Sequence, residues 1–494
     1  MGGLVNGGAV LEIDEARLTR RIEAVFNRRP VVGAAIGVVR DGRMEFAGHG
    51  LANIAANQPV TEDTIFRIAS ITKTFTAIAV MQLWERGRID LDAPASEYLR
   101  AYRLVPADPS FGPVTVRHLL THTSGIGETA HPLRVFGPDF GESVAPGTVV
   151  TPLSEYYRRG LRVQAEPGTR WTYTNHGFAT LGQIVADVTG VRLADYLREH
   201  VFRPLGMIDT SLAPPDRAPM RRAIGYALRA HGPKEITHRE MITAGAASIY
   251  STPRDMGRYL TALLGGGRNE HGSVLESDTL AMMFAAQYQP DPRVPGMGLG
   301  FFRGVAAGHR LVEHQGILPG FNSQIWLAPD DGLGVMVFVT GGHRAMLWLP
   351  AETSGLLHEL LGVTEPAVRG DIPHHPEVWP QICGYYTLPG SLTDVRALSM
   401  VGAGVDVRIS GGRPALRVLT PIPALLRGLP LYPDDPDDPL AFRIDLARWG
   451  LGTGRILFSR ASRTGAMKMN FDLHPLTMWK SENPWTLRAG RTLR

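Results

Sequence analysis

Segments with β-strand character lie on both sides of a long helical stretch, and this order constrains the fold most. Residues 11–29 have the pattern of a helix, and residues 31–53 that of a hairpin with its turn at Asp41-Gly42. Residues 66–265 are dominated by helical patterns, and strand patterns return at 298–341. One sheet must therefore combine segments that are distant in the sequence, which predicts an α+β domain.

The character of the sequence changes near residue 363. The next stretch is rich in Pro, and from Gly384 onward short strand patterns alternate with turn clusters. This pattern predicts a separate antiparallel β-barrel or sandwich. The predicted boundaries are a flexible tail at 1–10, a main domain at 11–362, a Pro-rich linker at 363–378 and an all-β domain at 379–494.

The charges of the chain do not indicate a nucleic-acid partner. There are 51 basic and 47 acidic residues, which give a net charge of +4. The charges are interspersed, and no basic stripe alternates with aromatic residues. We therefore expect no nucleic-acid binding.

The N-terminus and the single cysteine limit the compartment and the kind of site. Cys383 stands alone, which excludes an internal disulfide and a Cys-rich zinc site. No basic region followed by an apolar core opens the chain, and no window holds 18 consecutive apolar residues. We expect no membrane span and a cytoplasmic protein, although an exported and processed chain would also fit. The sequence leaves homo-oligomerisation open.

Lys73, one of only four lysines, follows Ser70 by three residues at the start of a predicted amphipathic helix. Residues three apart lie on one face of a helix, so the amine can contact the hydroxyl. A serine becomes a nucleophile when a neighbour takes its proton, and burial lets a lysine do so. The alternative is a surface lysine near a helix-capping serine.

Tyr173 and Asn175 alternate on a short extended segment before a helix predicted to start near Gly177. The tyrosine could relay a proton, and the asparagine could bind a substrate carbonyl. The same residues also fit a packed tyrosine and a helix-capping asparagine.

The stretch "EHQGILPG" places His314 and Gly316 at the end of a strand. A glycine there would let a ligand approach the backbone, and the next N–H could donate to an oxyanion. Taken alone, the motif is more typical of a solvent-facing strand edge followed by a Pro-Gly turn.

In the order Ser-x-x-Lys, Tyr-x-Asn and His-x-Gly, the sequence resembles the serine β-lactamase and penicillin-binding-protein superfamily. Segments such as "VTVRHLLTHTSGI" and "EHQGILPGFNSQIWLAPD" share the likeness, which covers about residues 15 to 360. The sequence is most similar to the class C branch and the related family VIII carboxylesterases, D-aminopeptidases and DD-peptidases. The resemblance implies an antiparallel sheet flanked by helices, plus a helical region.

The resemblance also implies roles for individual residues. Ser70 would be the acylated nucleophile, Lys73 its general base and Tyr173 the proton relay. Asn175 would bind a substrate carbonyl. The backbone N–H groups of Ser70 and Ile317 would form the oxyanion hole.

The third motif departs from the lactamase pattern. His314 stands where lactamases usually have Lys, and Gln315 stands where they have Thr. Gly316 follows, as in the family, and would line the substrate site together with His314. We expect this site to bind a lactam carboxylate less well than a lactamase does.

These residues predict a serine hydrolase, without metal or cofactor, that cleaves small acyl esters. The first alternative is a peptidase or DD-peptidase-like amidase acting on D-amino-acid peptides, and the second is a weak β-lactamase. A catalytically silent scaffold of the same fold is the alternative that is not an enzyme. We expect structural roles for Glu166, His118 and His122.

Overall fold

The computed structural model describes residues 15–130, 137–214, 219–365, 367–388, 402, 404–419, 423–461 and 464–481. The predicted tail at 1–10 lies outside these residues. The helices are α1 (Glu15–Arg28), α2 (Thr72–Glu85), α3 (Val116–Leu120), α4 (Leu153–Tyr156), α5 (Asn175–Thr189), α6 (Leu193–Leu197), α7 (Ala244–Ala247), α8 (Pro253–Leu264), α9 (Ser277–Phe284), α10 (Ala345–Leu361), α11 (Trp379–Ile382) and α12 (Pro423–Arg427). Among the described residues, no helix has the length and apolar character needed to cross a lipid bilayer.

The strands fall into two groups. Those of the first region are β1 (Gly33–Arg40), β2 (Arg43–Asn53), β3 (Gln58–Pro59), β4 (Phe66–Arg67), β5 (Leu104–Pro106), β6 (Ser143–Val144), β7 (Leu161–Val163), β8 (Tyr226–Arg229), β9 (Gly232–Glu235), β10 (Glu240–Met241), β11 (Tyr250–Ser251), β12 (Phe302–Ala306), β13 (His309–Leu318), β14 (Phe321–Ala328) and β15 (Leu333–Thr340). Those of the C-terminal region are β16 (Gly384–Thr387), β17 (Val405–Ser410), β18 (Arg413–Val418), β19 (Leu429–Pro430), β20 (Tyr432–Asp435), β21 (Asp438–Asp445), β22 (Thr453–Arg460), β23 (Met467–Phe471) and β24 (Thr477–Ser481).

The N-terminal hairpin forms where the sequence predicts it. Asp41 and Gly42 join β1 to β2 with φ angles of 50° and 74°. Two consecutive residues with positive φ make the type I′ turn, whose twist matches that of the flanking strands. The turn therefore sets the register, in which Arg40 lies opposite Arg43.

The main sheet joins this hairpin to strands that follow the helical stretch. Its order is β12-β13-β14-β15-β1-β2-β3, and neighbouring strands are antiparallel. Strand β1 pairs with β15 along its whole length, with Gly33 opposite Thr340. The predicted sheet of distant segments is confirmed.

Helices cover both faces of the main sheet. Ala34, Ile36 and Val38 of β1 pack in one apolar cluster with residues of α1 and α10. Ala35 and Val39, which point to the other face, pack in the larger cluster that contains α2, α5 and α8. The alternation follows from the two-residue period of a strand.

Helix α2 differs from the prediction, because it is not amphipathic. Every residue from Thr72 to Leu83 is buried. The polar side chains find specific acceptors instead of water: Thr76 donates to the Gly245 carbonyl at 2.7 Å, and Gln82 donates to the Val274 carbonyl at 2.9 Å. A helix enclosed on all sides lies in the core of its domain.

The C-terminal region forms a nine-stranded antiparallel sheet with the order β19-β18-β17-β16-β24-β23-β22-β21-β20. Its two edge strands, β19 and β20, are separated in the chain only by Leu431. The edges therefore meet, and the sheet is a nearly closed barrel, as predicted. The exact domain boundaries at 362, 378 and 494 stay predictions.

The barrel packs against the loop before β12. The Arg293 guanidinium donates to the Asp438 carboxylate at 2.6 Å and to the Phe458 carbonyl at 2.8 Å. Lys468 donates to the Pro290 carbonyl at 2.5 Å. These contacts anchor the barrel beside the segment that leads into strand β12.

Candidate active site

The turn that carries Ser70 holds one residue in a strained conformation. Residues Ala69–Ile71 form a 3₁₀ helix that runs into α2, and Ala69 has a φ of 50°. A non-glycine residue in this region costs about 1–2 kcal/mol. Such strain persists only where neighbouring groups hold it, so these neighbours fix the position of the Ser70 hydroxyl, which is 8% exposed.

Strand β13 holds this turn through Gly316. A Cβ atom on Gly316 would lie 2.2 Å from both the Ile68 carbonyl oxygen and the Ser323 Oγ atom. The Ser323 hydroxyl donates to the same carbonyl at 2.8 Å. The sequence predicts a glycine that admits a ligand, whereas the group that approaches Gly316 here is the chain's own turn. Its role in substrate binding stays a prediction.

Lys73 is fully buried, and its amine contacts Ser70. The Nζ atom lies 3.0 Å from the Ser70 Oγ atom, 2.8 Å from the Asn175 Oδ1 atom and 3.0 Å from the Ala246 carbonyl oxygen. These three acceptors match the three N–H donors of an ammonium group, while burial favours the neutral amine. The amine is thus placed to exchange a proton with the hydroxyl, and the alternative of a surface lysine is wrong.

Tyr173 lies beside the same amine. The Lys73 Nζ atom is 4.8 Å from the centroid of the Tyr173 ring. The ring packs against His122 and Phe302, with centroid distances of 4.4 Å and 6.3 Å. The structure therefore brings together the three residues predicted for the covalent chemistry.

His122 positions the backbone on both sides of Tyr173. Its carbonyl accepts from the Thr172 N–H at 2.8 Å, and its Nδ1 atom accepts from the Thr174 N–H at 3.2 Å. Its φ of 57° is a second strained non-glycine conformation near the site. The expected structural role of His122 thus serves the tyrosine, which the sequence did not indicate.

Helix α5 begins at Asn175, two residues before the predicted start at Gly177. Thr174 has extended backbone angles, and its side chain accepts from the His176 N–H at 3.2 Å. An N-cap of this kind ends the extended segment. Asn175 consequently projects from the first helical position.

The Asn175 amide is bonded at both ends. Its Oδ1 atom accepts from Lys73, and its Nδ2 atom donates to the Glu142 Oε2 atom at 2.9 Å. Glu142 is 1% exposed, and the same oxygen accepts from the Thr243 hydroxyl at 2.9 Å. One N–H of the amide remains for the predicted contact to a substrate carbonyl, which stays a prediction.

His314 is a buried, neutral side chain. Burial, and next the positive charge of Lys73, lower its pKa to about 3. Its Nδ1 atom donates to the Gln315 carbonyl at 2.8 Å, and its ring meets that of Phe302 edge to face at 5.5 Å. The Nε2 atom consequently carries a lone pair, and it has no hydrogen-bond partner among the described residues.

The residues that follow His314 and Gly316 have different environments. The Gln315 side chain donates to the Met346 carbonyl of α10 at 2.8 Å, so it braces the helix on the outer face. Ile317 is 43% exposed, and its N–H follows the glycine that packs on the Ser70 turn. This placement is compatible with the predicted oxyanion hole, whose function stays a prediction.

An aromatic wall, formed by Trp171, Phe302 and His474, lies next to Tyr173. The His474 ring comes from the barrel, in the turn between β23 and β24, and stacks on Trp171 with a centroid distance of 5.9 Å. It also meets Phe302 at 5.5 Å. Burial lowers the pKa of His474 to about 4. The C-terminal region thus contributes a neutral ring to the surroundings of the site.

The residues for which structural roles are predicted have structural contacts. Glu166 accepts from the Gly112 N–H at 3.0 Å. His118 accepts from the Thr115 N–H at 3.2 Å, which completes a capping box at the start of α3. Over the described residues, no group of three or more His, Cys, Asp or Glu side chains is arranged to hold a metal ion.

Comparisons with known proteins cover most of the chain. The sequence pattern that defines the beta-lactamase family matches residues 18–357. Esterase EstB of Burkholderia gladioli is 32% identical over 367 residues, which cover 66% of this chain and 91% of that protein. A D-aminopeptidase of Gluconobacter oxydans (strain 621H) is 27% identical over 430 residues, which cover 84% of this chain and 72% of that protein.

A likeness in structure extends over nearly the whole chain. The octameric penicillin-binding protein homologue from Pyrococcus abyssi superposes with a TM-score of 0.61 and 24% identity. The superposition covers 95% of this chain and 100% of that chain. At this identity the likeness concerns the fold, including the C-terminal region.

Proposed function

This chain belongs to the beta-lactamase family, and from that membership we propose that it cleaves small acyl esters through an acyl-enzyme on Ser70. It is a serine hydrolase, as its family and the names of its relatives indicate. The observation that carries the ester assignment is the neutral His314, which stands where lactamases usually have Lys. An ester has no carboxylate that would require a cation there.

In the proposed reaction, the Lys73 amine takes the proton of the Ser70 hydroxyl, and the Oγ atom attacks the ester carbonyl carbon. The backbone N–H groups of Ser70 and Ile317 stabilise the negative charge that develops on the carbonyl oxygen. Tyr173 passes the proton to the departing alcohol. Water then attacks the acyl group, which leaves as a carboxylic acid and restores Ser70.

The aromatic wall supports an uncharged, compact substrate. The rings of Trp171, Phe302 and His474 offer apolar surface, and His474 is neutral above about pH 4. Apolar surface of this kind favours apolar acyl or alcohol groups, because moving such groups out of water costs little free energy. Because His474 belongs to the barrel, we propose that the C-terminal region restricts which groups fit.

The second candidate is a peptidase that acts on D-amino-acid peptides. The match to the D-aminopeptidase covers 84% of this chain, so it includes part of the C-terminal region. A peptidase would use the same nucleophile and base, with Tyr173 protonating an amine instead of an alcohol. Weak β-lactamase activity ranks third, because His314 supplies no charge for the lactam carboxylate.

A fluorophosphonate probe and three substrates separate these candidates. We expect the probe to label Ser70, and chromogenic short-chain esters to be hydrolysed faster than a D-amino-acid anilide or a cephalosporin. An unlabelled, folded protein would be a silent scaffold. Fastest turnover of the anilide would establish the peptidase, and fastest turnover of the cephalosporin would establish the lactamase.

A further inference from the structure

Glu142 is a buried carboxylate that one amide group connects to Lys73. The Lys73 Nζ atom donates to Asn175 Oδ1 at 2.8 Å, and Asn175 Nδ2 donates to Glu142 Oε2 at 2.9 Å. The other carboxylate oxygen, Oε1, has no hydrogen-bond partner among the described residues. Burying a carboxylate is unfavourable unless hydrogen-bond donors and a positive charge compensate for it. We therefore expect a positively charged group near Glu142.

The histidine nearest to Glu142 does not provide that cation. His176 Nε2 lies 3.8 Å from Glu142 Oε1, but it accepts from the Ala130 N–H at 2.9 Å. The ring proton is therefore on Nδ1, which is 2.7 Å from the Tyr157 hydroxyl. Burial raises the pKa of Tyr157 well above its usual value. Both groups are thus neutral.

Arg239 and Glu240, two other charged groups around the loop, have partners of their own. Arg239 donates to the Ser143 hydroxyl at 2.8 Å and lies 3.9 Å from the Asp139 carboxylate. Glu240 pairs with His238 at 2.5 Å. Glu128 is a second buried carboxylate, one residue after the Gly127 carbonyl that accepts from Thr174.

On the side of Lys73, the neighbouring titratable groups are Tyr173 and His314. His314 is neutral because its pKa is about 3. The Tyr173 ring faces the amine through its π surface at 4.8 Å. Lys73 is therefore the cation that the hydrogen bonds connect to Glu142.

We propose that Glu142 is a positioning residue that orients the Asn175 amide and stabilises the ammonium form of Lys73. Of the two ends of the Asn175 amide, only Nδ2 can donate to a carboxylate, so the Oδ1 end must face the lysine. When the proton moves from Ser70 Oγ to Lys73 Nζ, the new positive charge forms near this carboxylate, which itself exchanges no proton. The inference rests on the proposed role of Lys73 as the base.

The substitution Glu142→Gln tests the charge. The amide oxygen of Gln can still accept from Asn175 and Thr243, but the negative charge is lost. A nearby carboxylate raises the pKa of an amine. Loss of the negative charge therefore lowers the pKa of the Lys73 amine, and the base stays neutral down to a lower pH. We expect the acid limb of kcat/KM for an ester to move down by about one pH unit and kcat to fall about tenfold.

Two further variants separate charge from geometry. Thr243→Val removes the other donor to Glu142 and keeps the charge, so its acid limb should match that of the native protein. Glu142→Asp keeps the charge but shortens the side chain, so kcat should fall while the limb stays. This variant also keeps the test available if the Gln variant does not fold.

The outcomes distinguish this inference from the proposed function. An unchanged limb in folded Glu142→Gln, or a shifted limb in Glu142→Asp, would overturn the role of Glu142 while native ester turnover and labelling of Ser70 persist. Absence of labelling in the native protein would overturn the proposed function itself.

Discussion

The Lys73 Nζ atom lies 3.0 Å from the Ser70 Oγ atom, at the start of a helix whose residues are buried from Thr72 to Leu83. No water layer separates the two groups, and the core packing fixes the helix. The hydroxyl and the amine therefore keep their spacing without help from a substrate.

Replacing either residue should remove turnover. We expect Ser70→Ala and Lys73→Ala each to lower kcat for an ester by at least about 10³-fold, because the covalent route is lost, and Tyr173→Phe to lose several orders of magnitude. The control is Lys234→Ala, at an exposed lysine of β9. Circular dichroism should show unchanged folds, and Ser70→Ala that kept a few per cent of activity would refute the nucleophile assignment.

Introducing a permanent charge at His314 should favour lactams. His314→Lys supplies a charge-assisted hydrogen bond of about 1.5–3 kcal/mol to a lactam carboxylate, or about one to two decades in kcat/KM. An ester gains nothing from this charge. We therefore expect the ratio of ester to cephalosporin turnover to fall. Efficient cephalosporin hydrolysis by the native protein would contradict the esterase proposal.

His314 should also make folding sensitive to acid. Its pKa is about 3 in the folded protein and about 6.5 when unfolded. The unfolded state therefore binds the proton first, and stability present above pH 6.5 is lost as the pH falls toward 3. By pH 5 this group should remove about 2 kcal/mol from the free energy of unfolding.

Urea unfolding at pH 8 and pH 5 checks this effect. His314→Gln should lose less stability between the two pH values than the native protein does. His231→Gln, at an exposed histidine of the β8 to β9 turn, provides the matched control. Equal pH sensitivity in all three proteins would show that His314 is not the group responsible.

Gly316→Ala should damage both stability and activity. The added Cβ would clash with the Ile68 carbonyl oxygen, a backbone atom that cannot rotate away from it. We therefore expect the free energy of unfolding to fall by about 2–4 kcal/mol. Ser70 follows that carbonyl by two residues, so kcat should fall by at least about tenfold. The control is Gly370→Ala, where a Cβ has nothing within 4 Å. Thermal unfolding and ester kinetics on both variants decide the matter.

His474 should influence which acyl groups are accepted. His474→Ala opens the wall beside Trp171 and Phe302, so we expect longer or branched acyl esters to gain on acetate by about threefold or more. His474→Phe keeps a ring at this position and should preserve the native ratio. Identical acyl profiles in all three proteins would assign the barrel a role remote from the substrate.

The N-terminal hairpin and part of the site could be predicted because their signals are local. Asp41-Gly42 defines a turn by itself, and Ser70 and Lys73 form a motif within one helical turn. The burial of α2 could not be predicted, since Thr76 and Gln82 look like solvent-facing residues. Their acceptors, Gly245 and Val274, come from segments more than 160 residues away.

Glu142 and His474 escaped prediction for a related reason. Each lies in a loop or turn without hydrophobic periodicity, and each meets the site only through the fold. Glu142 reaches Asn175 across 33 positions, and His474 reaches Trp171 from another region of the chain. A sequence motif records neighbours along the chain, whereas these contacts depend on how the loops are placed.

The pairing of β1 with β15 affects the order in which the molecule can assemble during synthesis. Gly33 finds its partner Thr340 only after the ribosome has made almost the whole first region. Until then, the N-terminal hairpin can pair only with the two-residue strand β3, and so small a sheet is marginally stable alone. We therefore expect the main sheet to close late and slowly, with the apolar residues of β1 open to chaperones until β15 emerges.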